Sequence, residues 1–197
     1  MIARLKGTLV EKTPQEAVID VGGVGYRVYI TLNCYDALPP PGGEVEMVTV
    51  TIAREDALHI YGFANREERG MFKKLITVSR IGPKLACVIL SGTKAGALKQ
   101  AILSQDKAGF SRIPGVGPKT AERLIMELKD KFADEKAGEA LTGNEKDAAD
   151  AVAALLNLGY KNVDAQRAVS EAARETGSTG SAELAELIRK SLKILST

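Results

Sequence analysis

From Ala3 to about Phe63 apolar and polar residues alternate in short runs, ARLKGTLVEK, EAVIDVGG, GYRVYITL, EVEMVTVTIA and ALHIYGF, separated by turns rich in Gly, Pro and Asn. A period of two puts successive side chains on opposite faces, so each run predicts a strand with one buried face. Five such strands in so short a stretch predict a small closed barrel. From Asn65 onward the spacing changes to three and four, and REERGMFKKLITV, GPKLACVILSG, AGALKQAILSQ and GPKTAERLIMELKDKF each predict a helix. Residues 133–144, ADEKAGEALTGN, are small and polar without an apolar stripe and predict a linker. Beyond it DAADAVAALLNLGY, DAQRAVSEAAR and SAELAELIRKSLKIL predict three short amphipathic helices, broken at Gly159 and at TGSTGS. The expected class is α+β with several domains: a barrel over 1–64, a helical domain over 65–132, a linker over 133–144 and a three-helix bundle over 145–197.

Composition narrows the setting. No run of about eighteen apolar residues is present to span a bilayer. Met1 opens directly on the strand alternation instead of a basic, then apolar, then cleavage-site order, so the expected location is cytoplasmic, away from membranes. Cys34 and Cys87 lie among apolar residues with no CxxC or His partner pattern, which points to free buried thiols and to no metal site. His59, the only histidine, sits in a predicted strand and reads as structural.

The formal net charge of +2 conceals a strong segregation. Residues 65–132 hold 14 Lys and Arg against 6 Asp and Glu, net +8, whereas 1–64 and 133–197 each carry net −3. A basic block between two acidic ones is a candidate polyanion surface, or simply a solvated helical face.

Inside that block the chain echoes itself. SRIGPKLACVIL (Ser79 to Leu90) and IPGVGPKTAERLIMEL (Ile113 to Leu128) share an apolar residue, then Gly, Pro, Lys, one residue and Ala, followed by a helical stripe. Gly115 and Gly117 permit a sharp turn, and Pro118 suits the first position of a helix, where its missing N–H costs nothing. Gly82 and Pro83 stand in the matching places of the first copy. The unpaired N–H groups of such a helix start, the positive end of its dipole, and Lys84 or Lys119 all favour an anion at one spot. This pair resembles the helix-hairpin-helix motif, which holds DNA phosphates through backbone amides without reading bases. The first copy departs from the pattern, since Arg80 stands where the first hairpin glycine is expected; there the guanidinium adds a phosphate contact or the turn bends differently.

Other uses of these residues fit less well. GVGPKT lacks the spacing of a phosphate-binding G-x-x-x-x-G-K-[ST] loop, and VGGVGY (Val21 to Tyr26) runs straight back into strand alternation, as a hairpin turn does. A DNA glycosylase/lyase of the helix-hairpin-helix type would use Lys119 as an imine-forming nucleophile. It would also need an Asp beyond the hairpin, and Asp130 and Asp134 fall at the helix end and in the predicted linker. A general single-strand-binding barrel is the third reading, weakened by the lack of an evident stacking platform.

In TIAREDALHIYGF (Thr51 to Phe63) Arg54, Glu55 and Asp56 interrupt two apolar strands with an acidic turn. This is an ordinary polar hairpin tip or, beside bound DNA, a source of repulsion that pushes strands apart. GTLVEK, VIDVGGVGYRVYI, REDALHIYGF, IGPKLA, IPGVGPKTAERL and ALLNLGY, in this order over nearly the whole chain, closely resemble the RuvA family of Holliday-junction-binding subunits.

That resemblance implies an OB-fold barrel through which four subunits assemble around a fourfold centre, with one or two tetramers on each junction. It implies an acidic pin formed by Glu55 and Asp56 at the crossover. Phosphate contacts would come from Arg80, Gly82, Lys84, Gly115, Gly117, Lys119 and Arg123, the last one helical turn beyond Lys119. Thr120 would donate to a phosphate or help cap the helix. The last domain would bind the RuvB hexameric ATPase through Leu155, Leu158 and Tyr160, which otherwise read as plain bundle core. RuvC resolvase would join a larger complex. No catalytic residue, cofactor or metal is implied in this subunit.

Overall fold

The computed structural model describes residues 1–55, 57–140, 144–176 and 184–196, with the backbone alone at 134–140, 144–145 and 175–176. The chain divides into two compact units, Met1–Asp130 and Lys131–Thr197.

The first unit opens with β1 (Arg4–Lys12), β2 (Glu16–Val21), β3 (Val24–Ile30), β4 (Glu44–Ala53) and β5 (Leu58–Phe63). They close into a barrel in the order β1-β2-β3-β5-β4, with β3 and β5 parallel and β4 returning antiparallel to β1, which is the OB-type arrangement. Alternation does the sorting: Leu5, Leu9, Ala17, Ile19, Val28, Ile30, Val45 and Met47 point inward, and their neighbours along each strand face outward. A register shift between Leu9 and Glu11 leaves Val10, on the outward face, without a partner on β2. Gly22 and Gly23, at φ 64° and 89°, form the two-residue hairpin between β2 and β3, so VGGVGY is a turn as its pattern predicts.

Between β3 and β4 lies α1 (Leu32–Ala37), a six-residue helix that the apolar pattern does not predict because it is shorter than two turns. Thr31 starts it by accepting from Cys34 N. The helical part of the unit runs through α2 (Arg66–Leu75), α3 (Pro83–Ser91), α4 (Ala95–Leu103), α5 (Lys107–Ser111) and α6 (Pro118–Ala140), the last as far as Asp130. Phe72, Leu75, Ile89, Leu98, Phe110 and Leu124 are its fully buried centre. Phe72 also stacks on Tyr61 and meets Phe63, at ring-centre distances of 5.2 and 4.8 Å, so barrel and helices share aromatic contacts. The composition predicts a linker from residue 133, yet α6 continues to Ala140. The reason is that Ala, Glu and Lys are strong helix formers without any apolar stripe.

Cys34 is buried and Cys87 half-buried. Burial, with a smaller push from Glu68 nearby, raises both thiols from 9.0 to about 12. A raised thiol favours the protonated folded state, so this contribution is intact below about pH 9 and is lost as the pH climbs toward 12. At pH 8 the folded protein is expected to react far more slowly with a thiol-specific disulfide reagent than the same protein in guanidinium; equal rates would contradict this placement.

In the second unit α7 (Asn144–Asn157), α8 (Asn162–Thr176) and α9 (Leu184–Leu195) pack around Ala151, Leu155, Ala165, Val169, Ala172 and Leu187. Gly159, at φ 96°, makes the turn between α7 and α8. Among the described residues no helix is long and apolar enough to cross a membrane.

Candidate nucleic-acid interface

The two GPK turns prove to be two copies of one backbone shape. In the first, Ile81 N donates to Val78 O at 3.0 Å and Ala86 N to Gly82 O at 2.9 Å. Thirty-five residues on, Val116 N donates to Ile113 O and Ala121 N to Gly117 O, both at 2.9 Å. Gly115 has φ 87° and Arg80, in its place in the first copy, has φ 72°. Arg80 therefore bends the turn just as glycine does, which settles the conformation that the missing glycine left open. A left-handed backbone costs a residue with a Cβ roughly 1–2 kcal/mol, part of which glycine would lose again as unfolded-state entropy. Arg80→Gly is thus expected to stabilise the fold by about 0.5–1 kcal/mol. It should also remove about one unit from the salt dependence of DNA binding if the guanidinium meets a phosphate. Thermal melting and a salt titration check the two effects separately.

Each turn leads into a helix that begins with proline, and Gly82 and Gly117 occupy the positions before Pro83 and Pro118. A Cβ at either glycine would meet nothing within 4 Å, and Gly82 has an ordinary extended backbone of φ −83° and ψ 171°. Neither glycine is thus required by crowding within the fold. Their effect is to leave the N–H groups of α3 and α6 uncovered, with no side-chain cap on α3. Gly115 differs, since its φ is positive and a Cβ there would press on Leu85 Cδ1 at 3.1 Å.

Lys84 and Lys119 stand exposed on the first turns of these helices. No carboxylate pairs with either among the described residues. Arg123, one turn beyond Lys119, is half-buried, as is Thr120. Lys107, by contrast, is held by Glu122 at 2.7 Å on the exposed side of α6, and its hydrogen bond keeps the Glu122 carboxyl below the usual range. Asp130, the candidate partner for imine chemistry, lies about 16 Å along α6 from Lys119 at 1.5 Å rise per residue. That is beyond hydrogen-bond reach. The Asp134 side chain is outside the described residues.

Between β4 and β5 Arg54 N donates to Ala57 O at 2.9 Å, which closes the hairpin tip. Glu55 is exposed there, and Asp56, its expected companion, lies outside the described residues. Leu58, next to the tip, is 71% exposed. His59 rests against the Tyr29 ring, 5.5 Å between centres.

In the second unit the three residues read as a partner surface separate. Leu155 is fully buried because it follows the buried Ala151 by four residues on the same helix face, which fits the bundle-core alternative for it. Tyr160 packs half-buried against that core, and Leu158 is 62% exposed. Leu156 and Val163 are exposed apolar residues around the same turn that the LGY pattern did not single out. Counting helix phase from Ala151 would have separated Leu156 from Leu155.

Comparison with known proteins follows these parts along the chain. The family described as RuvA N terminal domain matches residues 1–62. SAM-like helix-hairpin-helix tandem matches 72–130, and RuvA, C-terminal domain matches 146–196. A Holliday junction branch migration complex subunit RuvA of Acidobacterium capsulatum is 43% identical over 200 residues, covering 99% of this chain and 100% of that protein. Proteins of the same description from Pseudomonas putida and Escherichia coli are each 42% identical, with 98% of both chains covered.

Proposed function

The chain belongs to the RuvA family, and from that premise we propose that it binds four-way DNA junctions and holds them open for an ATP-driven branch-migration motor. The observation that carries this reading is the duplicated turn: two helix starts with uncovered N–H groups, each beside a lysine that no carboxylate among the described residues pairs. Such a pair grips successive phosphates of one duplex without reading bases, so selectivity must come from the shape of the DNA.

Shape selectivity is supplied by assembly. Four copies joined through their barrels bring four acidic tips to the crossover, where Glu55 and Asp56 repel phosphates and oppose a duplex running straight through. The basic hairpin domains, with Arg80, Lys84, Lys119 and Arg123, hold the four arms outside that centre. Thr120 sits where it serves either a phosphate or the helix start. One or two such tetramers accommodate a junction.

The second unit recruits the hexameric RuvB motor through the apolar surface of Leu156, Leu158 and Val163, with the edge of Tyr160. The chain acts in the cytoplasm without catalysis of its own, and RuvC resolvase joins the same junction. Lys119 is a phosphate contact in this account, and the lyase reading is set aside because Asp130 is out of reach and the family is one of branch-migration subunits.

Hydroxyl-radical footprinting of a synthetic four-way junction tests this directly. Protection of backbone sites repeated on all four arms around the crossover is the expected pattern. Protection of one arm, or of none near the crossover, would contradict it.

A further inference from the structure

Besides the aromatic packing of Phe72 on Tyr61 and Phe63, the helical part of the first unit is joined to the barrel through a few directional bonds that meet at α1. Thr31, fully buried at the end of β3, donates its hydroxyl to Glu68 Oε1 of α2 at 2.6 Å and accepts from Cys34 N at 3.1 Å. Glu68 Oε2 accepts from Ala64 N at 3.1 Å, in the two-residue connection between β5 and α2. On the other side of α1, Leu32 N donates to Ser91 Oγ at 3.0 Å. Asn33 Nδ2 donates to Leu90 O at 2.6 Å and Thr93 O at 3.2 Å, at the end of α3. Both helices that flank the first hairpin are thereby tied to one short helix of the barrel.

Two features distinguish this seam from the aromatic packing of Phe72 on Tyr61 and Phe63. A cleft of about 530 Å³ separates Gln15, Tyr29 and Leu32 on the barrel side from Lys84, Cys87 and Val88 on α3, so the surfaces beside the seam are not in full contact. Glu68 is only 4% exposed, and no Lys, Arg or His pairs with it among the described residues. A buried carboxyl held only by O–H and N–H donors is costly compared with an apolar pair of the same shape. Its return is direction, because a satisfied buried hydrogen bond accepts one geometry where an apolar contact accepts several.

We propose that Thr31 and Glu68 are positioning residues for junction recognition. Their bond fixes the angle between the first hairpin, with Arg80 and Lys84, and the tip at Glu55 on the same barrel. Recognition by shape needs that angle, since neither residue touches DNA and each hairpin alone grips any duplex. The inference rests on the junction-binding reading above.

The test compares the full-length parent with Thr31→Ser, Thr31→Val and Thr31→Val/Glu68→Met, reading affinity for a four-way junction and for a linear duplex together with thermal melting. Thr31→Ser keeps the hydroxyl and should keep the parent's junction preference. Thr31→Val and the double variant should hold duplex within about twofold of the parent while their junction preference falls at least about tenfold, a difference of about 1.4 kcal/mol. A double variant that melts cooperatively and keeps the parent's preference would overturn the proposal. If that variant does not fold, the Thr31→Ser and Thr31→Val pair decides alone: equal preference in the two would overturn it. A parent without junction preference would instead refute the junction-binding reading itself.

Discussion

Replacing Glu55 and Asp56 together by their amides is expected to raise affinity for linear duplex and to lower the junction-to-duplex ratio by at least about tenfold. Two like charges about 8 Å apart repel by about 0.5 kcal/mol in water and about 2 kcal/mol at the lower effective dielectric of a protein surface. A continuous duplex laid across a fourfold centre would meet such terms from several tips at once, whereas an open junction keeps its phosphates on the periphery. Removing the charge therefore helps the wrong substrate more than the right one, which is how repulsion produces specificity. The difference should shrink as salt shortens the screening length. Unchanged binding of both DNAs by the double variant would remove the pin assignment.

Gly82→Ala combined with Gly117→Ala is expected to reduce affinity for junction and duplex alike, by at least about a hundredfold, while the melting temperature stays within a few degrees. Each added methyl enters open space in the free protein, so folding has little to lose. A phosphate bonded to the N–H groups behind those positions would lose its close approach, at about 1.5–3 kcal/mol for each charge-assisted site. Gly115→Ala serves as the contrasting case. Its positive φ and the contact with Leu85 make it a stability variant, destabilised by about 1 kcal/mol or more. Loss of stability without loss of binding in the Gly82/Gly117 pair would mean that these glycines serve the fold instead of the ligand.

How much of this was legible in the sequence depends on the length of the signal. The five strands carry a clear period of two with turn residues between them, and all five form. The six-residue α1 and five-residue α5 do not complete enough turns to show a period. The stretch after residue 132 misleads in the opposite sense, because a polar helix and a polar linker differ in propensity and not in apolar pattern. At the site, the repeat exposed both hairpins and the oddity of Arg80, but only the backbone shows that Arg80 adopts the glycine conformation. Leu155 and Leu158 look alike in LLNLGY and, three apart, would share one helix face; the end of α7 at Asn157, ahead of the Gly159 turn, is what leaves Leu158 outside. The Thr31–Glu68 bond joins residues 37 apart in different elements, and no local pattern announces such a pair.

On the proposed reading this chain recognises DNA by shape. That reading is tested most directly by titrating the purified full-length protein against a four-way junction and a linear duplex of equal length, at two salt concentrations. A strong junction preference that persists at the higher salt is expected, because backbone contacts weaken on both DNAs while the geometric difference remains. Equal and equally salt-sensitive binding to both would contradict it, and would leave a general helix-hairpin-helix duplex binder whose acidic tip has no part in recognition.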